Sequence, residues 1–245
     1  MGPEELRRQA ALEDGHFWYA ARRRQVARRL GTGPGRGWAL DLGAGSGGNT
    51  SLLSEAGYEA VALERHPVAA QVARARGLAV LEGDGHRLPF ADDTFDLVLA
   101  CDVLEHLDDD LTAVQEVRRV LRPGGQLLLT VPADPALWSA HDVALDHRRR
   151  YTRETLSAVL AEGGLHLSAL SAWMVLLRPL VALRRRLRSR ASKGGPEEGP
   201  VSDLEEVAPL VNRLLAGVLR LEDHLPALGA RRGVSLIAVA VKRVP

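Results

Sequence analysis

The stretch Asp41-Leu-Gly-Ala-Gly-Ser-Gly-Gly48 constrains this chain more than any other. It follows a short apolar run, residues 38–42, and opens a stretch of helical character, residues 47–56. Glycine lets the backbone turn sharply and lets a ligand come close to it. A G-x-G-x-x-G loop between a strand and a helix is the nucleotide-binding turn of parallel α/β sheets.

The following residues extend that pattern. Apolar runs at 60–63, 78–81, 95–101 and 126–131 alternate with helical stretches at 67–76 and 109–121. Short runs that are apolar on both faces suit parallel strands covered by helices. The expected fold is therefore α/β, a Rossmann-like doubly wound sheet. Pro67 suits the first turn of a helix. In Leu121-Arg-Pro-Gly-Gly125 a helix ends on a left-handed glycine cap and a strand restarts. Thr152, with Thr155 on the first turn, caps a helix that runs to Glu162 and stops at Gly163-Gly164. Residues 165–172 read as a sixth strand and 235–241 as the last.

The chain is expected to be one domain, 1–245, with a helical N-terminal extension at 1–35 that Gly15 breaks in two. The core takes 36–172 and 233–245. Residues 173–232 form a helical insertion before the last strand. It holds a basic apolar helix at 173–188, a flexible stretch at 189–203 and an amphipathic helix at 204–222.

Composition excludes several classes. With a formal net charge of +1, no global field points to nucleic acid. The arginine run at 178–190 lacks the interleaved aromatics of nucleic-acid readers. The single cysteine, Cys101, forms no intrachain disulfide or cysteine zinc site. There is no apolar leader and no spanning run, so the cytoplasm is the expected location.

NAD-type dinucleotides and S-adenosylmethionine share the glycine-loop geometry. Glu64 ends the second strand about 20 residues past the loop, where a carboxylate can accept ribose hydroxyls. Asp41 separates the two classes. A carboxylate just before the glycines repels a pyrophosphate but suits the ammonium of a methionine moiety. Asp84, after the third strand, can accept a hydrogen bond from an adenine amino group. The rivals are an NAD(P)-dependent oxidoreductase and a non-catalytic cofactor-binding module.

Asp41-Leu-Gly-Ala-Gly-Ser-Gly, Glu64, Gly83-Asp84 with Leu88-Pro89-Phe90, Phe95-Asp-Leu-Val, Asp102-Val-Leu-Glu-His106 and Leu121-Arg-Pro-Gly-Gly125 occur in order. As a set they resemble the class I S-adenosylmethionine-dependent methyltransferases, over roughly residues 36–132. That resemblance implies a seven-stranded sheet of order 3-2-1-4-5-7-6 with the seventh strand antiparallel. It implies S-adenosyl-L-methionine as cofactor and S-adenosyl-L-homocysteine as product. Asp41, Gly43, Ala44 and Gly45 would line the methionine end. Glu64 would hold the ribose, with Arg65 beside the adenine and Asp84 and Gly85 at its amino group. Cys101 and Asp102 would form the floor near the sulfonium. The long insertion departs from the minimal family pattern and leaves the lid and the choice of monomer or homodimer open.

Three regions are candidates for the acceptor side. His106 follows the fourth strand and is the candidate general base; its bland alternative is a cap or a hydrogen bond to Glu105. The loop from Trp138 to Tyr151 carries His141, Asp142, Asp146 and His147 on the carboxyl edge of the sheet, where ligands bind. Trp138, His141, His147 and Tyr151 are its candidate substrate contacts. The alternative is a solvated loop with packed Trp138 and Tyr151. The four His and Asp residues could also bind a divalent metal, but nothing else in the chain demands one, and the expectation is no metal. Trp18 and Tyr19, in Asp14-Gly-His16-Phe-Trp18-Tyr19, are further substrate candidates or simply a buried helix face. This cluster and the 138–151 loop resemble a bacterial subgroup of the same enzymes. The expected reaction is methyl transfer to a small or medium-sized acceptor, at oxygen first, then nitrogen or carbon. A small molecule, saccharide or lipid-like compound fits, and the basic apolar segment 173–188 could rest on an anionic membrane.

Overall fold

In a computed structural model of the chain, residues 10–13, 15–30, 36–191 and 207–244 are described. Seven strands form one sheet: β1 (Trp38–Leu42), β2 (Glu59–Glu64), β3 (Val80–Glu82), β4 (Phe95–Cys101), β5 (Leu121–Pro132), β6 (His166–Trp173) and β7 (Ser235–Val241). Their order is β3-β2-β1-β4-β5-β7-β6. β1 to β5 pair in parallel, and β7 runs antiparallel to both β5 and β6. The expected order and the reversed last strand are both present.

The helices are α1 (Phe17–Leu30), α2 (Gly48–Glu55), α3 (Pro67–Ala75), α4 (Asp110–Val120), α5 (Ala140–Ala144), α6 (Arg153–Glu162), α7 (Arg178–Ala191) and α8 (Pro209–Glu222). Local chemistry sets several of their starts. The Asp109 carboxylate accepts from the Thr112 N–H at 2.9 Å, capping α4. Thr152 and Thr155 bond each other's backbone N–H, at 2.9 and 3.2 Å, at the start of α6. Gly15 interrupts the N-terminal helical stretch, and α1 resumes at Phe17.

Alternate residues of each strand serve opposite faces of the sheet, as a period of two requires. Leu40, Val98, Ala100, Leu127 and Leu129 pack with Val114 and Val117 of α4 and Leu156 and Leu160 of α6. Ala39, Leu97, Leu99 and Leu128 pack on the other face with Val26 and Leu30 of α1 and Leu53 of α2. Leu99 is completely buried; truncating such a side chain to alanine costs about 2–5 kcal/mol.

Two expectations are corrected. Helix α4 ends at Val120, and its cap is Leu121 in an extended conformation, not a glycine. Leu121 already pairs with Phe95, so β5 begins there. Gly124 does adopt a positive φ, +82°, but inside the strand. Its N–H donates to the Lys242 carbonyl at 2.8 Å, stitching the turn to the chain beyond β7. The second correction concerns 173–188. Trp173 closes β6 opposite Ser235, Met174 turns with φ +57°, and the helix starts only at Arg178 with Pro179 in its first turn. Of the stretch expected to be flexible, 189–191 continue α7 and 192–203 lie outside the described residues.

The insertion folds back onto the N-terminal helix. The Asn212 side chain accepts from the Phe17 N–H at 2.8 Å and donates to the Gly15 carbonyl at 2.9 Å. Asp223 accepts from Arg24 at 3.1 Å and from Gln25 at 2.5 Å. Glu222 accepts from the Leu176 N–H at 2.9 Å. Helix α8 thus packs against α1, whose Trp18, Tyr19 and Arg22 face the carboxyl edge of the sheet. No described helix is long and apolar enough to cross a membrane.

Candidate active site

The glycine loop leaves β1 at the carboxyl edge. Gly43 sits at φ +68°, and a Cβ there would lie 2.6 Å from Val103 Cγ2. Only glycine meets both the conformational and the steric demand. Asp41, two residues earlier, is fully buried. One carboxylate oxygen accepts from Thr50 Oγ1 at 2.6 Å, and the other has no partner. Burial pushes its pKa up to about 7 against the pull of Thr50 and Arg22.

A cavity opens above the loop. Gly43, Ala44 and Gly45 line one wall, Cys101 and Asp102 the floor, and Trp18, Tyr19 and Arg22 of α1 the roof. Asn49, with an unpartnered buried Oδ1, completes the methionine end as read from the sequence. A second cavity continues from it beneath α7. Phe17, Met174, Val181 and Val234 make it apolar, and Arg150, Arg184 and Arg185 give it one basic side. The two share Trp18, Asp102, Leu145 and His147.

The residues expected at the ribose and adenine end stand outside both cavities. The Glu64 carboxylate accepts from the Gly45 N–H at 2.8 Å and the His66 N–H at 2.7 Å. Asp84 accepts from the His86 N–H at 2.8 Å, which with the His86 ring holds its carboxyl below the usual range. Arg65 and Gly85 line neither cavity.

On the acceptor side, His106 lines the first cavity, His141 the second and His147 both. The rings of His106 and His147 stand 4.8 Å apart, edge to face. Burial, then the neighbouring His147, pushes the His106 pKa down to about 4, so the ring is neutral near pH 7. Tyr151 is buried away from both cavities, and its hydroxyl donates to Asp110 at 2.6 Å. Trp138 is half exposed and also lies apart. Tyr151 is thus packed, whereas Trp138 is neither packed nor in a cavity.

The four-residue metal constellation of the 138–151 loop does not assemble. Asp142 is instead fully buried, accepting from the His147 ring at 3.0 Å and from Arg150 at 2.7 Å, with Arg185 at 3.5 Å. Burial raises its carboxyl, but these partners outweigh it and hold it far below the usual range. Asp146 pairs outward with Arg148 at 3.1 Å.

Arg22 is the residue that sequence reading missed. Its guanidinium bonds Asp102 at 2.8 Å and stacks on Trp18 and Tyr19, with centroids at 4.7 and 5.2 Å. Its spacing from the aromatics on α1 was legible; its meeting with Asp102 was not.

Comparison with known proteins agrees with this geometry. Residues 40–129 match the family described as methyltransferase domain. The demethylmenaquinone methyltransferase of Mycobacterium sp. (strain KMS) is 36% identical over 119 residues, 49% of this chain and 50% of that protein. The chain thus spans about half the length of the curated relatives it matches. A methyltransferase from Haloferax volcanii, solved with the Trm112 methyltransferase activator, has a TM-score of 0.66 at 19% identity, covering 99% of this chain and 96% of that one. Phosphoethanolamine N-methyltransferase 2 of Haemonchus contortus, in complex with S-adenosyl-L-methionine, has a TM-score of 0.62 at 18% identity, covering 91% and 52%. At such identities the structures show the fold alone. The matched segment, residues 40–129, is similar to a methyltransferase domain, and the sheet order is that of the class I S-adenosylmethionine-dependent methyltransferase fold. Its cofactor is S-adenosylmethionine, and the residues fit it: among the described residues the buried Oδ1 atoms of Asn49, which lines the cavity, and of Asp41, buried beneath the glycine loop and not itself in the lining, have no partner and suit an ammonium.

Proposed function

We propose that the protein transfers a methyl group from S-adenosylmethionine to a small or medium-sized acceptor, at oxygen before nitrogen or carbon. The observation that carries this reading is the junction of the two cavities at Trp18, Asp102, Leu145 and His147. Donor and acceptor can meet there, away from bulk water. The bound cofactor supplies a methyl group on a positively charged sulfur, already activated for in-line displacement.

The protein's part is alignment, exclusion of water and removal of a proton. Asp41 supplies negative charge beneath the methionine ammonium, and Asn49 Oδ1 accepts from it. Glu64 retains lone pairs for the ribose hydroxyls, with Arg65 beside the adenine and Asp84 and Gly85 at its amino group. Cys101 and Asp102 make the floor. Arg22 holds Asp102 in place, and Trp18 and Tyr19 close the roof. His106, neutral near pH 7, is placed to accept a proton from a hydroxyl acceptor.

The second cavity favours an amphiphilic acceptor, apolar in body with a polar or anionic group toward Arg184 and Arg185. The curated relatives are named for demethylmenaquinone, which also points to a lipid-like compound. Leu180, Leu183 and Leu187 of α7 are exposed among arginines and suit contact with an anionic membrane.

Calorimetry with S-adenosylhomocysteine and with NAD tests the cofactor: binding of NAD alone sinks the proposal. Labelled S-adenosylmethionine with fractionated host extract tests the acceptor class. Label entering an apolar fraction supports it, and label confined to RNA overturns it.

A further inference from the structure

Three ligand-type side chains meet at the junction of the cavities. Glu105, His106 and His147 each offer an atom within 4.8 Å of the other two. Glu105 is completely buried, yet among the described residues neither carboxylate oxygen has a hydrogen-bond partner. Buried polar groups are otherwise almost always bonded, because leaving them bare is costly. Protonating Glu105 does not resolve this, since an O–H and a C=O would then both stand without partners. A ligand that satisfies the carboxylate does.

Both histidines are oriented from behind. His147 Nδ1 faces the buried carboxylate of Asp142 at 3.0 Å, which places the ring proton on Nδ1 and a lone pair on Nε2. The backbone of Asp146 also faces the His106 ring. A carboxylate or carbonyl behind each ring is how metal-bound histidines are held. The Arg150 guanidinium is engaged by Asp142 and by the Ala133 carbonyl, each at 2.7 Å, rather than by Glu105.

We propose that Glu105, His106 and His147 hold a divalent transition-metal ion of the zinc class. Two nitrogens and one carboxylate, with a further position open toward a cavity, form the ligand set of zinc sites that act on a bound molecule. The site stands on these residues alone; its role rests on the methyl-transfer reading. A cation there lowers the pKa of an acceptor hydroxyl, whose proton passes to water. The histidines are then ligands, and oxygen is the favoured acceptor atom.

The test uses the full chain, stripped with a chelator and titrated with Zn²⁺ by calorimetry and with Co²⁺ by visible absorption. One equivalent per chain is expected, with a cobalt ligand-field spectrum. Glu105→Gln and His147→Gln each weaken binding roughly 100-fold or more, and Asp142→Asn weakens it roughly 10–100-fold through the ring it orients. Circular dichroism confirms that each variant is folded, and one folded ligand variant suffices. Absence of binding, or binding that these substitutions leave unchanged, overturns the site. S-adenosylhomocysteine binding is measured on the same samples. Metal binding without it leaves the site standing and sinks the methyl-transfer reading; the reverse result sinks the site alone.

Discussion

The Arg22 guanidinium donates to the Asp102 carboxylate at 2.8 Å, tying α1 to the end of β4 across 80 residues of chain. Both side chains are largely shielded from water. Removing one member of such a pair strands the other. Arg22→Met is expected to cost about 3 kcal/mol and to lower the melting temperature by roughly 8 °C. Because the pair also closes the roof, S-adenosylhomocysteine should raise the melting temperature of the variant less than that of the wild type. Differential scanning fluorimetry with and without the ligand reads both effects.

Gly43→Ala should abolish measurable cofactor binding while the sheet survives. The new methyl would meet Val103 Cγ2 at 2.6 Å, and the left-handed backbone itself costs about 1–2 kcal/mol for alanine. Gly43→Ala combined with Val103→Ala relieves the clash but not the backbone strain. Partial recovery of S-adenosylhomocysteine affinity in the double variant is the expected calorimetric result.

Asp41 gives the protein a pH dependence. Its folded pKa, about 7, lies above its unfolded value of 3.8. The folded state therefore binds the proton more tightly in that window. The associated stability is complete below pH 3.8 and is lost as pH rises through about 7. At its limit the loss is roughly 4 kcal/mol. Urea unfolding at pH 5 and pH 8.5 should show the wild type losing more stability over that interval than Asp41→Asn. A bound ammonium favours the carboxylate, so S-adenosylhomocysteine binding at pH 6 should release a proton. Calorimetry in buffers of different ionisation enthalpy detects it.

Asp142 is the shared anchor of His147, Arg150 and Arg185. Asp142→Asn keeps the shape and removes the charge from a buried cluster. A loss of about 3–5 kcal/mol is expected in chemical denaturation. Asp146→Asn, whose partner Arg148 faces solvent, should change stability by less than about 1 kcal/mol.

The strands and the cofactor loop were legible because each rests on a local rule, whereas the strand order came only with the family resemblance. Apolar runs of strand length, Pro67, the cap at Thr152, and Gly43, Gly45, Gly47 and Gly48 act within a few residues of one another. The start of α7 was misplaced because the run from Trp173 is apolar enough for either a strand or a helix. Pairing of Trp173 with Ser235, 62 positions away, decides it for the strand.

The amino-acid sequence by itself determined the α/β fold and the glycine loop after β1, since the apolar runs and the glycines carry their structural demands in their spacing. Only the tertiary structure decided what surrounds the acceptor. Arg22 meets Asp102, and His147 meets His106 and Glu105, because α1 and the 138–151 loop both close over the carboxyl edge of the sheet. Spacing along a chain does not encode such meetings between distant segments; the packing of the elements that carry them does.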